Sequence, residues 1–296
     1  MIEHNPFYIV DVFAEEKYAG NELAVVRRAA ALSDPVMQKI AREMNFSEST
    51  FILNDEESRG GFDVRIFTPK EEVPFAGHPT LGTAFIIQQE ILRQPVKEVL
   101  LNLKIGQIPV TFTYRGPEPE ILWMKQVRPR FGKSLEPRDA ALALGLKPED
   151  VDTRYPILEV STGLPFFVVP LKTLEAVRRS SVEEGLMLNL VRGTEAKAFL
   201  LFCPETYSSQ NDLNVRVFAG YYGVPEDPAT GSANGCLAGY LVKCRYFDSP
   251  KVNIRVEQGY EIGRPSLLLL NAEDKGGEIH IFVGGKVLLV AKGELV

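Results

Sequence analysis

The chain has 296 residues, with 33 Lys and Arg against 39 Asp and Glu, for a formal net charge of −6. Apolar residues at 45% and charged residues at 24% are ordinary globular values that exclude extensive disorder. The acidic balance argues against nucleic acid or an anionic membrane surface as partner, leaving a small molecule as the expected ligand of two compact domains or one large α/β unit.

Met1-Ile2-Glu3-His4-Asn5-Pro6 shows no basic region followed by an apolar run, and later apolar stretches are too short and interrupted to cross a bilayer. A soluble, cytoplasmic protein is expected. Ser33-Asp34-Pro35 followed by Val36, Ile40, Ala41 and Met44 predicts a capped amphipathic helix, and Phe51 to Leu53 begins the next strand. Val64 and Ile66 alternate with polar residues, as a half-buried strand requires. Pro79 suits a first helical position, and Leu81 to Ile87 is apolar around much of a helix, which predicts an enclosed one. Pro117-Glu118-Pro119 and Arg128-Pro129-Arg130 mark a change of half near residues 115 to 130. Pro137 to Leu144 is a further helix ended by Gly145, Val215 and Val217 repeat the strand pattern, and Cys236 to Val242 repeats the enclosed helix. The expected division is 1–120, joined by a C-terminal strand over 287–296, and 121–286. Cys203, Cys236 and Cys244 lack metal or redox spacing, so reduced thiols are expected.

A repeat organises these elements. Phe62-Asp63-Val64-Arg65-Ile66-Phe67 recurs 151 residues later as Leu213-Asn214-Val215-Arg216-Val217-Phe218, and Val73-Pro74 recurs as Val224-Pro225. After a three-residue insertion, Ala76-Gly77-His78-Pro79 stands opposite Thr230-Gly231-Ser232-Ala233. Ordered echoes through a strand, a turn and a helix start indicate duplication, each half wrapping a sheet around its own central helix.

The duplication directs attention to Gly77-His78 and Gly231-Ser232. Free N–H groups and the positive dipole end make a helix N-terminus an anion site, and two of them facing one cleft would hold a carboxylate. Each glycine alone could equally serve a tight turn. His78, at such a terminus, has its protonation disfavoured and could act as a neutral donor to substrate, or be a hydrogen-bonded bystander. His4 and His280 have no such context and read as surface or strand residues. Glu48, between Phe46 and Phe51, reads as a partly buried acid/base or a solvated turn residue. Asp227, just before the second helix start, reads as a site carboxylate, an Asx-turn or a helix cap. G-x-G-x-x-G after a strand, G-x-x-x-x-G-K-[ST], H-E-x-x-H and G-x-S-x-G are all missing, so no nucleotide cofactor or metal is signalled.

Five segments in order resemble the phenazine-biosynthesis PhzF-like family: Val10-Asp11-Val12-Phe13 with Gly20-Asn21, Asn45 to Ser49, Phe75 to Gly82, Asp227 to Ala233, and Gln258-Gly259 with Gly263-Arg264-Pro265-Ser266. The resemblance spans nearly the whole chain. It implies a diaminopimelate epimerase-like α+β fold of two pseudo-symmetric halves, each a barrel-like mixed sheet around a central helix, with the site in the cleft between them. It also implies Glu48 as catalytic acid/base and His78, Asp227, Ser232, Gly77 and Gly231 as substrate-binding residues of a cofactor-free isomerase, a homodimer acting on a small carboxylate-bearing cyclic amino or hydroxy acid. The epimerase relatives use paired cysteines at the helix starts. Ala76, and the lack of cysteine in Asp227 to Ser232, speak against that chemistry. Glu22 stands where the family commonly has proline, a difference bearing on substrate identity more than fold. Two other readings remain: a two-base racemase or epimerase using Glu48 and Asp227, and a non-catalytic protein binding a small acid.

Overall fold

The computed structural model describes residues 5–296; His4 and the preceding residues lie outside them. The chain divides into two compact units, the chain up to Met124 with Gly284–Val296, and Lys125–Val283. The first contains β1 (Asn5–Val12), β2 (Asn21–Val26), α1 (Asp34–Met44), β3 (Ser49–Ile52), β4 (Phe62–Phe67), β5 (Glu72–Val73), α2 (Gly77–Ile86), β6 (Glu98–Leu103), β7 (Gly106–Arg115) and β8 (Glu118–Lys125). The second contains β9 (Arg130–Leu135), α3 (Pro137–Ala143), β10 (Ile157–Ser161), β11 (Pro165–Pro170), α4 (Leu174–Arg179), α5 (Glu184–Leu190), β12 (Ala198–Cys203), β13 (Leu213–Ala219), β14 (Val224–Asp227), α6 (Gly231–Lys243), β15 (Lys251–Gln258), β16 (Ser266–Lys275) and β17 (Glu278–Gly285). β18 (Val287–Leu295) returns to the first unit beside β1.

Pairing order shows the same topology twice. The first unit runs β18-β1-β2-β3-β4-β6-β7-β8, with β5 beside β4. The second runs β9-β10-β11-β12-β13-β15-β16, with β14 beside β13. The parallel pairs also correspond: β2 with β3 and β11 with β12, then β4 with β6 and β13 with β15. All other pairings in these orders are antiparallel, as in a mixed α+β fold.

Each sheet curls around one buried helix. Every residue of α2 is buried, and the helix packs on β1, β2, β3, β6, β7 and β18. Gly82 permits the close approach, since a Cβ there would sit 2.6 Å from Leu23 Cδ2 and 3.0 Å from Val10 and Val12. In the second unit α6 is buried at Gly231 and from Ala233 to Val242 and packs on β10, β11, β12, β15 and β16. Outer helices cover the other faces. Met37 and Ala41 of α1 join Val26, Phe51 and Phe67 in one core, and α3, α4 and α5 share another with Phe167, Phe199 and Leu201.

Several local readings shift. Ser33 takes the N-cap position of α1 but makes no side-chain capping bond. The central helix begins at Gly77, so Pro79 is its third residue, still within the first turn where no N–H has a helical acceptor. Residues 116 and 117 close the β7–β8 hairpin. The expected alternation holds for β4, whereas β13 is buried from Leu213 to Phe218. Its Arg216 is covered by α4 and donates to the carbonyls of Val177, Arg178 and Ser180, a cation at the negative end of that helix.

Strand register relocates the insertion. Phe67 pairs with Glu72 and Ile66 with Val73, while Val217, the counterpart of Ile66, pairs with Asp227. Asp227-Pro228, rather than Val224-Pro225, is therefore the counterpart of Val73-Pro74, and the extra residues lie in the preceding turn. This alignment exposes a repeated fork: Arg65 holds Glu72 through two bonds of 2.7 and 2.8 Å, and Arg216 holds Glu226 through two of 2.6 and 2.9 Å. Each fork fixes the turn that leads into its central helix. Among the described residues, no helix is long and apolar enough to cross a membrane.

Candidate active site

Glu48 is placed by local geometry. α1 ends at Asn45 in a left-handed conformation, the chain reverses, and Glu48 immediately precedes β3. β3 is tied to the central helix by a 2.8 Å hydrogen bond between Thr83 and Thr50 hydroxyls. Five residues before Thr83, in the first turn of α2, stands His78, whose Nε2 lies 3.5 Å from Glu48 Oε2. The carboxylate oxygen is shut away from solvent, although the Glu48 side chain as a whole retains 19% exposure.

Burial pushes the His78 imidazole down to about 3, against an opposing hydrogen bond to the Glu22 backbone. The ring is therefore neutral at physiological pH. Nε2 makes no hydrogen bond among the described residues, so the bond to the Glu22 carbonyl falls to Nδ1–H and Nε2 carries the lone pair. The imidazole is thus neutral, as expected for a helix N-terminus, and its Nδ1–H is already committed to a backbone carbonyl. Glu22 lies opposite Asp11 in the β1–β2 ladder. What His78 uses is the residue 22 carbonyl, which a proline would also supply.

Gly77 and His78 are the first two residues of α2, after the N-cap Ala76. Their N–H groups lie where the helix offers no acceptor, and Pro79 has none to add. The first turn thus presents two adjacent donors, a match for the two oxygens of a carboxylate.

The corresponding turn of the second unit is built differently. Thr230 is the N-cap of α6, followed by buried Gly231 and half-buried Ser232. The Thr230 hydroxyl donates to Asp227 Oδ2 in a short hydrogen bond. Fully buried Gln258 organises the segment: its Nε2 donates to Asp227 O at 2.7 Å and to Thr230 Oγ1 at 3.1 Å. Its Oε1 accepts from Thr230 N at 3.2 Å and Asn234 Nδ2 at 2.8 Å. Because Thr230 Oγ1 accepts from Gln258, its own proton is directed to Asp227, which makes that carboxylate the end acceptor of a one-way chain. Gln258, Asn234 and Thr230 carry roles that sequence reasoning missed. Gln258-Gly259 at a strand end was visible as a motif, with nothing to show the amide turning inward.

The two units also differ where a symmetric two-base site would need them alike. Ser49 pairs with Phe67 and Phe199 with Phe218, so the position equivalent to Glu48 is Ala198. The cysteines are not poised as bases. Burial pushes the Cys236 thiol up to about 11 and Cys203 up to about 12, and the helix N-caps are Ala76 and Thr230. His280 sits on β17 near Glu278. Among the described residues no cluster of three or more His, Cys, Asp or Glu is placed to hold a metal.

The chain matches the family model described as phenazine biosynthesis-like protein over residues 10–293. It is 33% identical over 288 residues to a trans-2,3-dihydro-3-hydroxyanthranilate isomerase of Pseudomonas aeruginosa, covering 97% of this chain and 98% of the relative. An uncharacterised isomerase of Mesorhizobium japonicum is 32% identical over 298 residues, covering 98% of each chain. The crystal structure of a Bacillus anthracis phenazine biosynthesis protein of the PhzF family superposes with a TM-score of 0.91 at 25% identity, covering all of both chains. A duplicated α+β fold, a carboxylate set beside a neutral imidazole and full-length similarity to named isomerases lead to one conclusion: the chain is an isomerase of the phenazine biosynthesis-like (PhzC-PhzF) family.

Proposed function

We propose that this protein relocates a proton on a small carboxylate-bearing substrate, a cyclic amino or hydroxy acid, with Glu48 as the single acid/base and without a cofactor. The observation that carries this reading is the enclosed Glu48 Oε2 held 3.5 Å from the neutral His78, with Ala198 at the equivalent position of the other unit. In the forward step the Glu48 carboxylate takes a proton from carbon. The C–H bond breaks, an O–H bond forms, and the electron pair spreads into the conjugated, carboxyl-bearing system. The N–H groups of Gly77 and His78 and the positive end of α2 stabilise the developing negative charge. Glu48 then returns the proton to a second carbon and is regenerated.

Asp227, Ser232 and Gly231 are assigned to substrate binding, Asp227 by accepting hydrogen bonds from amino or hydroxyl groups. Its place at the end of a donor chain favours this role over that of a second base. A cytoplasmic homodimer suits this reading, homodimers being the common assembly of soluble enzymes. The first compound to try is trans-2,3-dihydro-3-hydroxyanthranilate, the compound named for the Pseudomonas relative, within a panel of cyclic amino and hydroxy acids. Expected is a thermal upshift with at least one member, followed by NMR signals of a double-bond isomer. Binding without any carbon-bound proton exchange across the panel would support a non-catalytic carrier instead.

A further inference from the structure

The contact between His78 and Glu48 has a polarity, and that polarity assigns His78 a task beyond lining the site. His78 is buried in the first turn of α2, with its side chain 7% exposed. One nitrogen is committed, because the Glu22 carbonyl accepts from the ring. The other, Nε2, is buried and makes no hydrogen bond among the described residues, yet faces Glu48 Oε2 at 3.5 Å. A lone pair facing a carboxylate oxygen is mildly repulsive, and 3.5 Å is too long for an O–H···N bond. Protonation of Glu48 reverses the sign of the contact. The new O–H points a donor at a desolvated acceptor, and a small side-chain rotation closes the gap.

We propose that His78 is a positioning residue whose Nε2 lone pair receives the hydrogen of the Glu48 carboxylic acid, steadying Glu48 in its proton-carrying state. The imidazole exchanges no proton: Glu48 gains the substrate proton, holds it toward Nε2, and gives it back to substrate carbon, while Nδ1–H stays on the Glu22 carbonyl. This rests on Glu48 being the acid/base.

Two substitutions separate the two nitrogens. An asparagine amide reaches the Nδ1 position and can still donate to the Glu22 carbonyl, whereas a glutamine amide reaches the Nε2 position and can still accept from Glu48. With trans-2,3-dihydro-3-hydroxyanthranilate as the assayed compound, His78→Asn is expected to lose about 10- to 100-fold in kcat with KM little changed, and His78→Gln to recover most of it. Equal loss in both variants, or loss confined to KM, would overturn the proposal. A readout independent of turnover and of variant folding is the imidazole nitrogen NMR spectrum of the unsubstituted protein. The expected form at neutral pH is the Nδ1–H tautomer with Nε2 bare, and an Nε2–H tautomer or a doubly protonated ring would also overturn it. If Glu48 proves dispensable while the Nδ1–H tautomer is seen, it is the acid/base reading that fails.

Discussion

Glu48→Gln is expected to lower kcat by at least about 10²-fold while leaving substrate binding within a few-fold. Glutamine matches glutamate in shape, so β3 and the Thr50–Thr83 tie should be undisturbed. It cannot take up a proton, and that is the only property the chemistry asks of the position. The substitution should also preserve the fold, because a glutamine NH2 can donate to the bare His78 Nε2 and thereby mimic protonated Glu48. Steady-state kinetics and a thermal-shift binding curve on the same preparation check both halves. Unchanged kcat would remove Glu48 from the mechanism, whereas loss of binding together with kcat would make it a binding residue.

The second large effect is structural. Gly259→Ala is expected to destabilise the protein by about 3 kcal/mol or more. Gly259 has a φ of +80°, where a Cβ would meet the backbone carbonyl oxygen of Arg264 in a severe clash and that of Pro228 at 2.6 Å. Backbone cannot step aside as a flexible side chain does, and Pro228 adjoins Asp227. The segment carrying Asp227 and Thr230 should therefore shift, raising KM as well as lowering stability. Gly276→Ala is the control. Gly276 has a φ of +68° with nothing within 4 Å of the place a Cβ would take, so it should cost only the left-handed strain of about 1–2 kcal/mol. Chemical denaturation of both variants checks the difference. Equal midpoints would mean that the Gly259 turn is free to relax and does not fix the Asp227 segment.

Much of the fold was legible because duplication leaves a sequence echo wherever packing demands the same residue types twice. The β4 and β13 segments both need apolar inward positions and an arginine at the fourth place, and both central helices begin at a glycine. The Arg65–Glu72 and Arg216–Glu226 forks were harder to see, since the three-residue insertion breaks the spacing and a chance Val224-Pro225 imitates the expected partner. Only strand register, set by backbone hydrogen bonds, restores the alignment. A buried polar network was also out of reach. At Asn214 and Glu257 the second unit joins β13 to β15 with an amide–carboxylate bond, and Asp63 and Asn102 do the same between β4 and β6 with the chemistry exchanged between strands. Residue-by-residue comparison therefore hides an interaction that both units share.

The candidate site was readable to a similar depth. Glu48 and His78 stood out by their flanking residues, and the structure sets Glu48 Oε2 3.5 Å from His78 Nε2. What the amino-acid order does not carry is the direction of each hydrogen bond. That His78 donates through Nδ1 and leaves Nε2 bare depends on a backbone carbonyl 56 residues earlier in the chain. That Asp227 ends a chain of donors depends on Gln258, brought beside it by the β13–β15 pairing. These long-range contacts turn a set of polar residues into assigned proton positions.

The central claim, that one enclosed carboxylate carries a substrate proton from carbon to carbon, is tested most directly by following the hydrogen. Ring-deuterated trans-2,3-dihydro-3-hydroxyanthranilate would be converted in ordinary water and the product examined by NMR and mass spectrometry. Because Glu48 Oε2 is shut away from solvent, a measurable share of product is expected to carry deuterium at its newly protonated carbon. A product whose new C–H hydrogen comes wholly from water with inversion at the reacting carbon would contradict this and establish a two-base mechanism.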